Sequence, residues 1–191
     1  DFDGVLFDSM GAQYQACCMV LSGLGFQPNN FWSYAHAKNL FDWFREHGTD
    51  LTDLKLRELF FKYYNTDECQ LLDGVPEMLE TLQSRGFLSV IVSANPLEDT
   101  YEKLRRFDIL HFFEEVHGKC YKKADTIRDL CLRAGVKPSS AHFTGDMYSD
   151  LVCGREAGVR TIYFAAHAES PFINEADHHI THVRQLLEIL K

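Results

Sequence analysis

Two carboxylates separated by one residue open the chain, in the segment Asp1-Phe2-Asp3-Gly4. Because alternate side chains of an extended strand point to the same side, Asp1 and Asp3 would face one pocket at the end of a strand. One carboxylate of such a pair can attack an electrophile while the other transfers a proton, provided that their environments differ. An ordinary Asp-Gly turn after a strand is the alternative, and this segment alone does not separate the two interpretations.

A hydroxyl group follows the apolar run Phe87–Val92, and such a run is typical of a buried parallel strand. Ser93 comes directly after the run, and Ala94 and Asn95 follow it. The Ser93 hydroxyl and the neighbouring amides are suited to donate hydrogen bonds to phosphate oxygens. A plain Ser/Asn turn before Pro96 is the alternative interpretation of this segment.

Two further carboxylates, Asp146 and Asp150, follow a strand-like run at Ala141–Thr144. Side chains four residues apart lie on one face if the segment turns into a helix. Asp146 would then complete, with Asp1, a hard oxygen site of the kind that Mg²⁺ prefers, with waters in the remaining positions. The alternative is a helix N-terminus decorated with acids, which the helix dipole favours.

Three lysines, Lys119, Lys122 and Lys123, lie between the segment Phe112–Val116 and the next predicted helix. A lysine directed into the site would neutralise phosphate charge and stabilise crowded carboxylates. Solvated loop lysines are the alternative, so this signal depends on the acids and the hydroxyl described above.

Residues 10–72 have the pattern of helices and are rich in aromatic side chains. We expect one helix at Gln13–Leu24, a second at Phe31–His47, and a third that begins after an N-cap at Asp50. The third is expected to direct four apolar residues to one side: Leu51, Leu54, Leu59 and Tyr63. Small helical bundles need large apolar side chains in their core, so most of the aromatic residues are assigned to packing.

After Asp73 the sequence alternates between helical and strand patterns. Helices are expected around residues 75–82, 127–134, 152–157 and 183–190, and strands at Phe87–Val92, Ala141–Thr144 and Arg160–Phe164. Such alternation predicts an α/β fold with a doubly wound parallel sheet. Ligands of these sheets bind outside the carboxyl ends of the strands. The hydroxyl, the second pair of acids and the lysines all come after predicted strands, so we expect them to meet there with the first acids.

Length and composition limit the classes of function. The 191 residues suffice for one core domain with a smaller insertion. A formal net charge of −9 argues against nucleic acid or an anionic membrane as the main partner, because no basic field would attract either. A small phosphorylated substrate stays compatible, since a metal and a few local cations can outweigh the global charge. The six cysteines show no Cys-x-x-Cys spacing, which favours a reducing cytoplasm, and no apolar run is long enough to span a bilayer.

Three histidines cluster near the C-terminal end, at His178, His179 and His182. No other metal-ligating residue accompanies them, so we interpret them as surface or helix-start residues. His36 is left unassigned, and His117 lies near enough to the lysine loop in sequence to line the site.

The order and spacing of these segments resemble the haloacid dehalogenase-like hydrolase superfamily across the whole sequence. Asp1-Phe2-Asp3-Gly4-Val5 is similar to the first motif of that family, Asp-x-Asp-Gly-Val/Thr. Gly145-Asp146, with Asp150, is similar to the fourth motif, Gly-Asp-x-x-x-Asp. The first and fourth motifs together are specific, so they carry most of the resemblance.

The second and third motifs of the family are matched more weakly. Ser93 is similar to the second, a Ser or Thr at a strand end, and Lys123 matches the third best, with Lys122 as the alternate. The resemblance implies that Ser93, Ala94, Asn95 and one of these lysines bind the substrate phosphate.

The resemblance also implies roles for the acids. Asp1 would be the nucleophile that forms an aspartyl-phosphate, and Asp3 would be the general acid and base. Mg²⁺ would be held by Asp1, by the main-chain carbonyl of Asp3 and by Asp146. Asp150 would lie in the outer shell of the ion or orient the lysine.

A Rossmann-like core at residues 1–9 and 73–191, with an all-helical cap domain inserted at residues 10–72, is the fold that the resemblance implies. The second acid, Asp3, favours phosphate chemistry, so we expect a Mg²⁺-dependent phosphatase of a small phosphorylated metabolite, as a monomer or homodimer. A phosphomutase is the enzyme alternative, although residues 10–72 show no convincing Gly-x-x-Arg-like element for rebinding an intermediate. A catalytically silent binding or phospho-acceptor module is the alternative from another class. A strand ending at Asp1 would lie upstream, so we expect the sequence to begin inside a longer chain.

Overall fold

The computed structural model describes residues 1–27, 40–165 and 172–191. Most of the second predicted helix, at Phe31–His47, lies outside the described residues. The aromatic residues Phe31, Trp32 and Tyr34 and the unassigned His36 also lie outside them.

Three helices form the described part of the segment 10–72: α1 at Met10–Gly23, α2 at Leu40–Glu46 and α3 at Asp53–Tyr63. Their buried side chains make one apolar cluster, which contains Ala16, Cys17, Val20, Leu21, Trp43, Phe44, Leu56 and Phe60. The aromatic residues Trp43, Phe44 and Phe60 are therefore bundle core, as expected from their size.

The start of α3 differs from the prediction. Thr52, and not Asp50, is its N-cap, and the Thr52 hydroxyl accepts a hydrogen bond from the Lys55 amide at 3.4 Å. The buried face also shifts: Leu56 and Phe60 are buried, whereas Leu54 is 69% exposed. The i, i+4 pair Leu56 and Phe60 lies on the side of α3 that packs into the apolar cluster. Three of the predicted residues, Leu51, Leu59 and Tyr63, are partly buried against the same cluster.

The remaining described chain alternates between helices and strands. In chain order it contains α4 at Val75–Ser84, β1 at Val90–Val92, α5 at Leu97–Arg106, β2 at Glu115–His117, α6 at Lys123–Arg133, β3 at His142–Gly145, α7 at Tyr148–Ala157, β4 at Arg160–Phe164, β5 at His178–Ile180 and α8 at Leu186–Ile189. Single 3₁₀ turns lie at Leu110–Phe112, Pro138–Ser140, Ile173–Glu175 and Val183–Gln185.

All strand pairs among the described residues are parallel, as the alternation predicts. β1 pairs with β2, and Val92 lies opposite His117. A second sheet has the order β3-β4-β5. The chain start lies beside this sheet, because the Asp1 backbone nitrogen donates to the Thr144 carbonyl at 2.7 Å. This is an α/β doubly wound arrangement, in which Ser93 follows β1 and Asp146 follows β3.

The C-terminal region differs from the prediction in one respect. His178 and His179 belong to β5, which pairs with β4, so they are not helix-start residues, although His179 is exposed as a surface residue would be. Only Ile180 of that strand is buried, so the strand lacks the apolar run that identifies a buried strand in sequence. His182, in contrast, does start a helical turn, because its ring accepts from the Arg184 amide at 3.2 Å.

The main core packs α4, α5 and the strands around the chain start. Phe2 and Phe7 stack with ring centroids 5.4 Å apart, and both are fully buried. Other members of this cluster include Met78, Leu79, Ile91, Leu104, Ile109 and Ile162. Because the helices of residues 10–72 have their own apolar cluster, we propose a core domain at 1–9 and 73–191 and a cap domain at 10–72.

Two further sequence-based expectations concern cysteines and membranes. All six cysteines lie in the described ranges, and all are free thiols. Among the helices described, none combines the length and the apolar character that crossing a membrane requires.

Candidate active site

A tight turn presents the first acids. The Phe2 carbonyl accepts from the amides of Leu6 and Phe7, at 2.9 and 3.1 Å, so the chain reverses at once after Asp3. Gly4 has φ +74°, in the left-handed region that favours glycine. A Cβ at Gly4 would also lie 2.0 Å from Asp146 Oδ2. The glycine therefore makes room for the Asp146 carboxylate against the turn.

Lys123 joins two acids from distant parts of the chain. Its Nζ donates to Asp1 Oδ2 at 2.5 Å and to Asp150 Oδ1 at 2.7 Å. The other Asp150 oxygen accepts from the Met147 amide at 3.1 Å, which caps α7. Gly145 permits this approach, because a Cβ there would lie 2.1 Å from Asp150 Cβ. The N-terminal end of α6 thus supplies the lysine that pairs with Asp1, and the first turn of α7 supplies the second acid that pairs with this lysine.

Asp146 is buried beside this ion-pair network, and one of its carboxylate oxygens is unsatisfied by the described residues. Its Oδ2 has no hydrogen-bond partner among the described residues, and the residue is 6% exposed. Burial, followed by the negative charge of Asp150, raises the Asp146 pKa to about 8. One ligand atom from each of Asp1, Asp146 and Asp150 lies within 4.8 Å of the others. Three clustered carboxylates with one buried oxygen unsatisfied fit a hard divalent cation such as Mg²⁺.

Asp3 has a different environment, made of hydrogen-bond donors. Its Oδ1 accepts from Ser9 Oγ at 3.0 Å, from the Tyr64 hydroxyl at 2.8 Å and from Lys103 Nζ at 3.4 Å. Its Oδ2 accepts from Asn95 Nδ2 at 2.7 Å. The Asp3 carboxylate is therefore held on both oxygens by groups from the chain start, α5, the β1 loop and the end of α3.

Tyr64 and Lys103 were not found by the sequence analysis. Tyr64 follows the last residue of α3, so its hydroxyl links the helical segment 10–72 to a core acid. Burial, together with the charge of Asp3, raises the Tyr64 pKa well above its usual range. Lys103 is 8% exposed, and its Nζ lies 4.9 Å from the Phe7 ring centroid. A lysine beside Leu104 on the buried stripe of α5 was the available signal in the sequence.

Ser93 lies in a loop that backbone hydrogen bonds hold firmly. Its amide donates to the His117 carbonyl at 2.8 Å, and its carbonyl accepts from the Cys120 amide at 2.9 Å. Its hydroxyl accepts from the Asn95 amide at 3.1 Å. Ser93, Ala94 and Asn95 all line the cavity that contains Asp1 and Asp3. The Asn95 side chain donates to Asp3 and its backbone amide donates to Ser93, so both donors of Asn95 are engaged within the protein.

The three candidate lysines differ in their position relative to the cavity. Lys123 reaches the acids, whereas Lys119 and Lys122 are exposed and do not line the cavity. His117 does not line it either, because its Nε2 lies 2.9 Å from Glu115 Oε2, on the strand β2.

The cavity has a volume of about 220 Å³ and is shared by the core and the helices of residues 10–72. Its core wall carries the acids, Ser93 and Lys123. Its other wall carries Gln13, Phe41, Arg57, Phe60 and Phe61. One wall with charged groups and an opposite wall that is partly aromatic form a cavity suited to bind a small polar molecule.

Comparison with known proteins identifies this arrangement. Residues 1–164 match the family described as haloacid dehalogenase-like hydrolase. The chain belongs to this family. The haloacid dehalogenase-like assignment agrees with the fold and with the segments that meet at the cavity.

Relatives within this family include named phosphatases. A phosphoglycolate phosphatase from Mannheimia succiniciproducens is 32% identical over 133 residues, which are 63% of this chain and 59% of that protein. A glyceraldehyde 3-phosphate phosphatase from Pyrococcus furiosus is 32% identical over 149 residues, which are 68% of this chain and 59% of that protein. The matched part of the chain thus spans 59% of the length of each of these curated relatives.

A solved structure supports the haloacid dehalogenase-like fold over the whole chain. A predicted phosphatase from Clostridium acetobutylicum superimposes with a TM-score of 0.81 and covers 100% of this chain and 95% of its own. Its sequence identity to this chain is 18%, so this likeness concerns the fold alone.

Proposed function

We propose that the protein is a Mg²⁺-dependent phosphatase that hydrolyses a small phosphorylated metabolite through an aspartyl-phosphate. One observation carries the proposal: the carboxylates of Asp1, Asp146 and Asp150 cluster in a cavity that also contains Asp3. Lys123 lines the same cavity and pairs with Asp1 and Asp150. The named relatives act on phosphoglycolate and on glyceraldehyde 3-phosphate, by their names. These two esters are therefore the first substrates to test.

The residues that would hold Mg²⁺ are Asp1, the main-chain carbonyl of Asp3 and Asp146, with Asp150 adjacent. The unsatisfied Asp146 Oδ2 is the observation that favours a cation here. When bound, the ion would neutralise charge on the phosphoryl oxygens and allow an anionic nucleophile to approach.

The proposed reaction uses the chain's own groups in two steps. In the first, an Asp1 carboxylate oxygen attacks phosphorus, the ester P–O bond breaks and Asp3 gives a proton to the leaving oxygen. In the second, a water attacks the aspartyl-phosphate, Asp3 takes a proton from that water, and Asp1 is released with inorganic phosphate. Lys123 balances the charge of Asp1, and the Ser93 hydroxyl with the backbone amides of its loop orients the phosphoryl oxygens.

We propose that the cap domain at residues 10–72 selects the leaving group, because Gln13, Phe41, Arg57, Phe60 and Phe61 face the acids across the cavity. A cytoplasmic location is proposed from the six free thiols, which a reducing compartment maintains.

The test is a panel of phosphate esters assayed for released phosphate, with Mg²⁺ and with a chelator. The panel includes phosphoglycolate, glyceraldehyde 3-phosphate and a bisphosphorylated sugar. We expect release of phosphate that depends on Mg²⁺ and returns when the ion is restored. An isomerised sugar phosphate without free phosphate would instead identify a mutase, and the absence of both products would favour a non-enzymatic module.

A further inference from the structure

Arg57 is a cap cation that lines the cavity and lies against two aromatic rings. Its guanidinium carbon lies 3.3 Å from the ring centroid of Tyr121 and 4.8 Å from that of Phe41. Tyr121 belongs to the loop that precedes Lys123, whereas Arg57 and Phe41 lie on α3 and α2. The Arg57 side chain therefore contacts both the helical segment and a core loop, and it lines the cavity that contains the proposed phosphate site.

Within the described ranges, Arg57 makes no salt bridge and no hydrogen bond; its contacts are the two rings. The other cap arginine, Arg45, pairs with both Asp42 and Asp53. Asp53 also acts electrostatically on Arg57, but its carboxylate is engaged by Arg45. Burial lowers the Arg57 pKa, because the guanidinium is partly removed from water and no described anion contacts it.

Stacking determines which part of the guanidinium is left for a ligand. A ring engages a face of the planar group, and the N–H donors point outward in its plane. Carboxylate and phosphate oxygens bind in that plane, often through two parallel hydrogen bonds. The position of Arg57 thus suits an oxyanion that enters the cavity.

The same cavity holds Asp1 and Lys123, where we propose that the phosphoryl group reacts. We infer that Arg57 binds a second anionic group of the substrate, a carboxylate or a phosphate on the leaving group. This inference rests on the proposed phosphatase function. It narrows the substrate class to phosphate esters whose leaving group is itself an anion.

The experiment compares esters that differ only in this second charge. Phosphoglycolate is paired with glycolamide phosphate, in which an amide replaces the carboxylate. A sugar bisphosphate is paired with the corresponding monophosphate, so that the two pairs distinguish a carboxylate from a phosphate. The value of kcat/KM is measured for each ester with the wild type, Arg57→Gln and Lys55→Gln.

We expect the wild type to prefer the charged member of at least one pair by about ten- to a hundredfold, the range for hydrogen bonds to charged groups. Arg57→Gln should bring this ratio close to one. Lys55→Gln removes the same charge from α3 at a side chain that is 56% exposed and paired with Glu58, so the ratio should remain. A wild type without preference, or an equal loss for both members in Arg57→Gln, would overturn the inference. The equal loss would mean that Arg57 acts on the transferred phosphoryl group or only on cap closure.

A binding measurement separates this inference from the proposed function. Calorimetric titration with 3-phosphonopropionate and with its amide tests the second charge without any turnover. If no ester is hydrolysed but the acid binds more tightly than the amide, and Arg57→Gln abolishes that difference, the phosphatase proposal fails and the anion site stands. If both probes bind equally to the wild type, the anion site is wrong whatever the activity. Unfolding temperatures of the variants confirm that each one is folded.

Discussion

The two acids of the first motif lie in opposite kinds of surroundings. Asp1 shares the ammonium group of Lys123 with Asp150, and Asp146 lies beside them. We call these four residues the nucleophile side. Asp3 is alone among donors, which are Ser9, Tyr64, Asn95 and Lys103. We call Asp3 and these donors the acid-base side.

Because their surroundings differ, the two sides should depend on different interactions. Three clustered carboxylates, of which two pair with Lys123, leave the nucleophile side with an excess of negative charge, which a divalent cation would compensate. The acid-base side is satisfied on both oxygens, and one of its donors, Tyr64, comes from the end of a cap helix. We therefore expect the nucleophile side to respond to metal and the acid-base side to respond to changes at the junction of cap and core.

The largest expected effect is at the nucleophile side. Asp1→Asn replaces the carboxylate that we propose as the nucleophile by an amide, so turnover should fall at least about 10³-fold. Release of phosphate in the presence of Mg²⁺ measures the loss. Asp125→Asn is the matched control, because Asp125 is an exposed acid that pairs with Arg128 on α6. Near-normal turnover of Asp1→Asn would contradict the assignment of the nucleophile.

Asp3→Asn should reduce turnover by roughly 10²–10⁴-fold, the usual contribution of general acid-base catalysis. Mg²⁺ binding should be largely kept, because only the main-chain carbonyl of Asp3 is proposed as a ligand. Parallel measurements of kcat and of Mg²⁺ affinity check this separation of the two sides. If the variant kept its turnover, the acid-base role of Asp3 would be wrong.

The same two sides show what the sequence could predict. The parallel α/β architecture and the grouping of Asp1, Asp146 and Asp150 follow from acids and glycines placed at strand ends. The residue pattern left three loop lysines as candidates, and only the family resemblance favoured Lys123. The donors around Asp3 could not be found in this way. Lys103 and Tyr64 reach Asp3 only through the packing of α5 and α3 against the turn. The place of Lys103 on the apolar stripe of α5 marks it as buried but does not identify Asp3 as its partner.

The His178–Ile180 strand was missed for a related reason. It carries one buried residue, Ile180, and its identity as a strand comes from pairing with β4. The start of α3 was misplaced because Asp50 and Thr52 are both acceptable caps in isolation. The hydrogen bond from the Lys55 amide decides in favour of Thr52.

Lys103→Met tests whether the buried cation of the acid-base side positions Asp3. The variant keeps the volume of the side chain but removes a charged donor, so kcat should fall about tenfold with a smaller change in KM. Lys62→Met, at an exposed lysine on α3, is the control and should leave kcat unchanged. A change confined to KM would mean that Lys103 serves substrate binding instead.

Tyr64→Phe removes one hydroxyl and keeps the ring that stacks on Phe60 at 5.1 Å. The loss of a single hydrogen bond to Asp3 should lower kcat about threefold to tenfold. The effect should shrink when Asp3 is already Asn, because both changes then act on the same contact. Additive losses in the double variant would show that Tyr64 acts on turnover by some other contact.

The smallest expected effect concerns stability at the nucleophile side without metal. The Asp146 pKa is raised from 3.8 to about 8, so the folded chain retains a proton that the unfolded chain has released. Stability should therefore fall as the pH rises through this window. Asp146→Asn removes the penalty and should raise the unfolding temperature in chelator by about 2–4 °C at pH 8.

Near pH 4 the wild type and Asp146→Asn should differ little, because Asp146 is then protonated in the folded state. Added Mg²⁺ should reverse the order at pH 8, since the wild type gains a ligand that the variant binds poorly. If the wild type and Asp146→Asn had equal unfolding temperatures in chelator at both pH values, the buried, charged Asp146 carboxylate would not destabilise the folded chain. The nucleophile side would then not require a cation for stability. In that case the two sides would not differ in uncompensated charge, as we infer that they do.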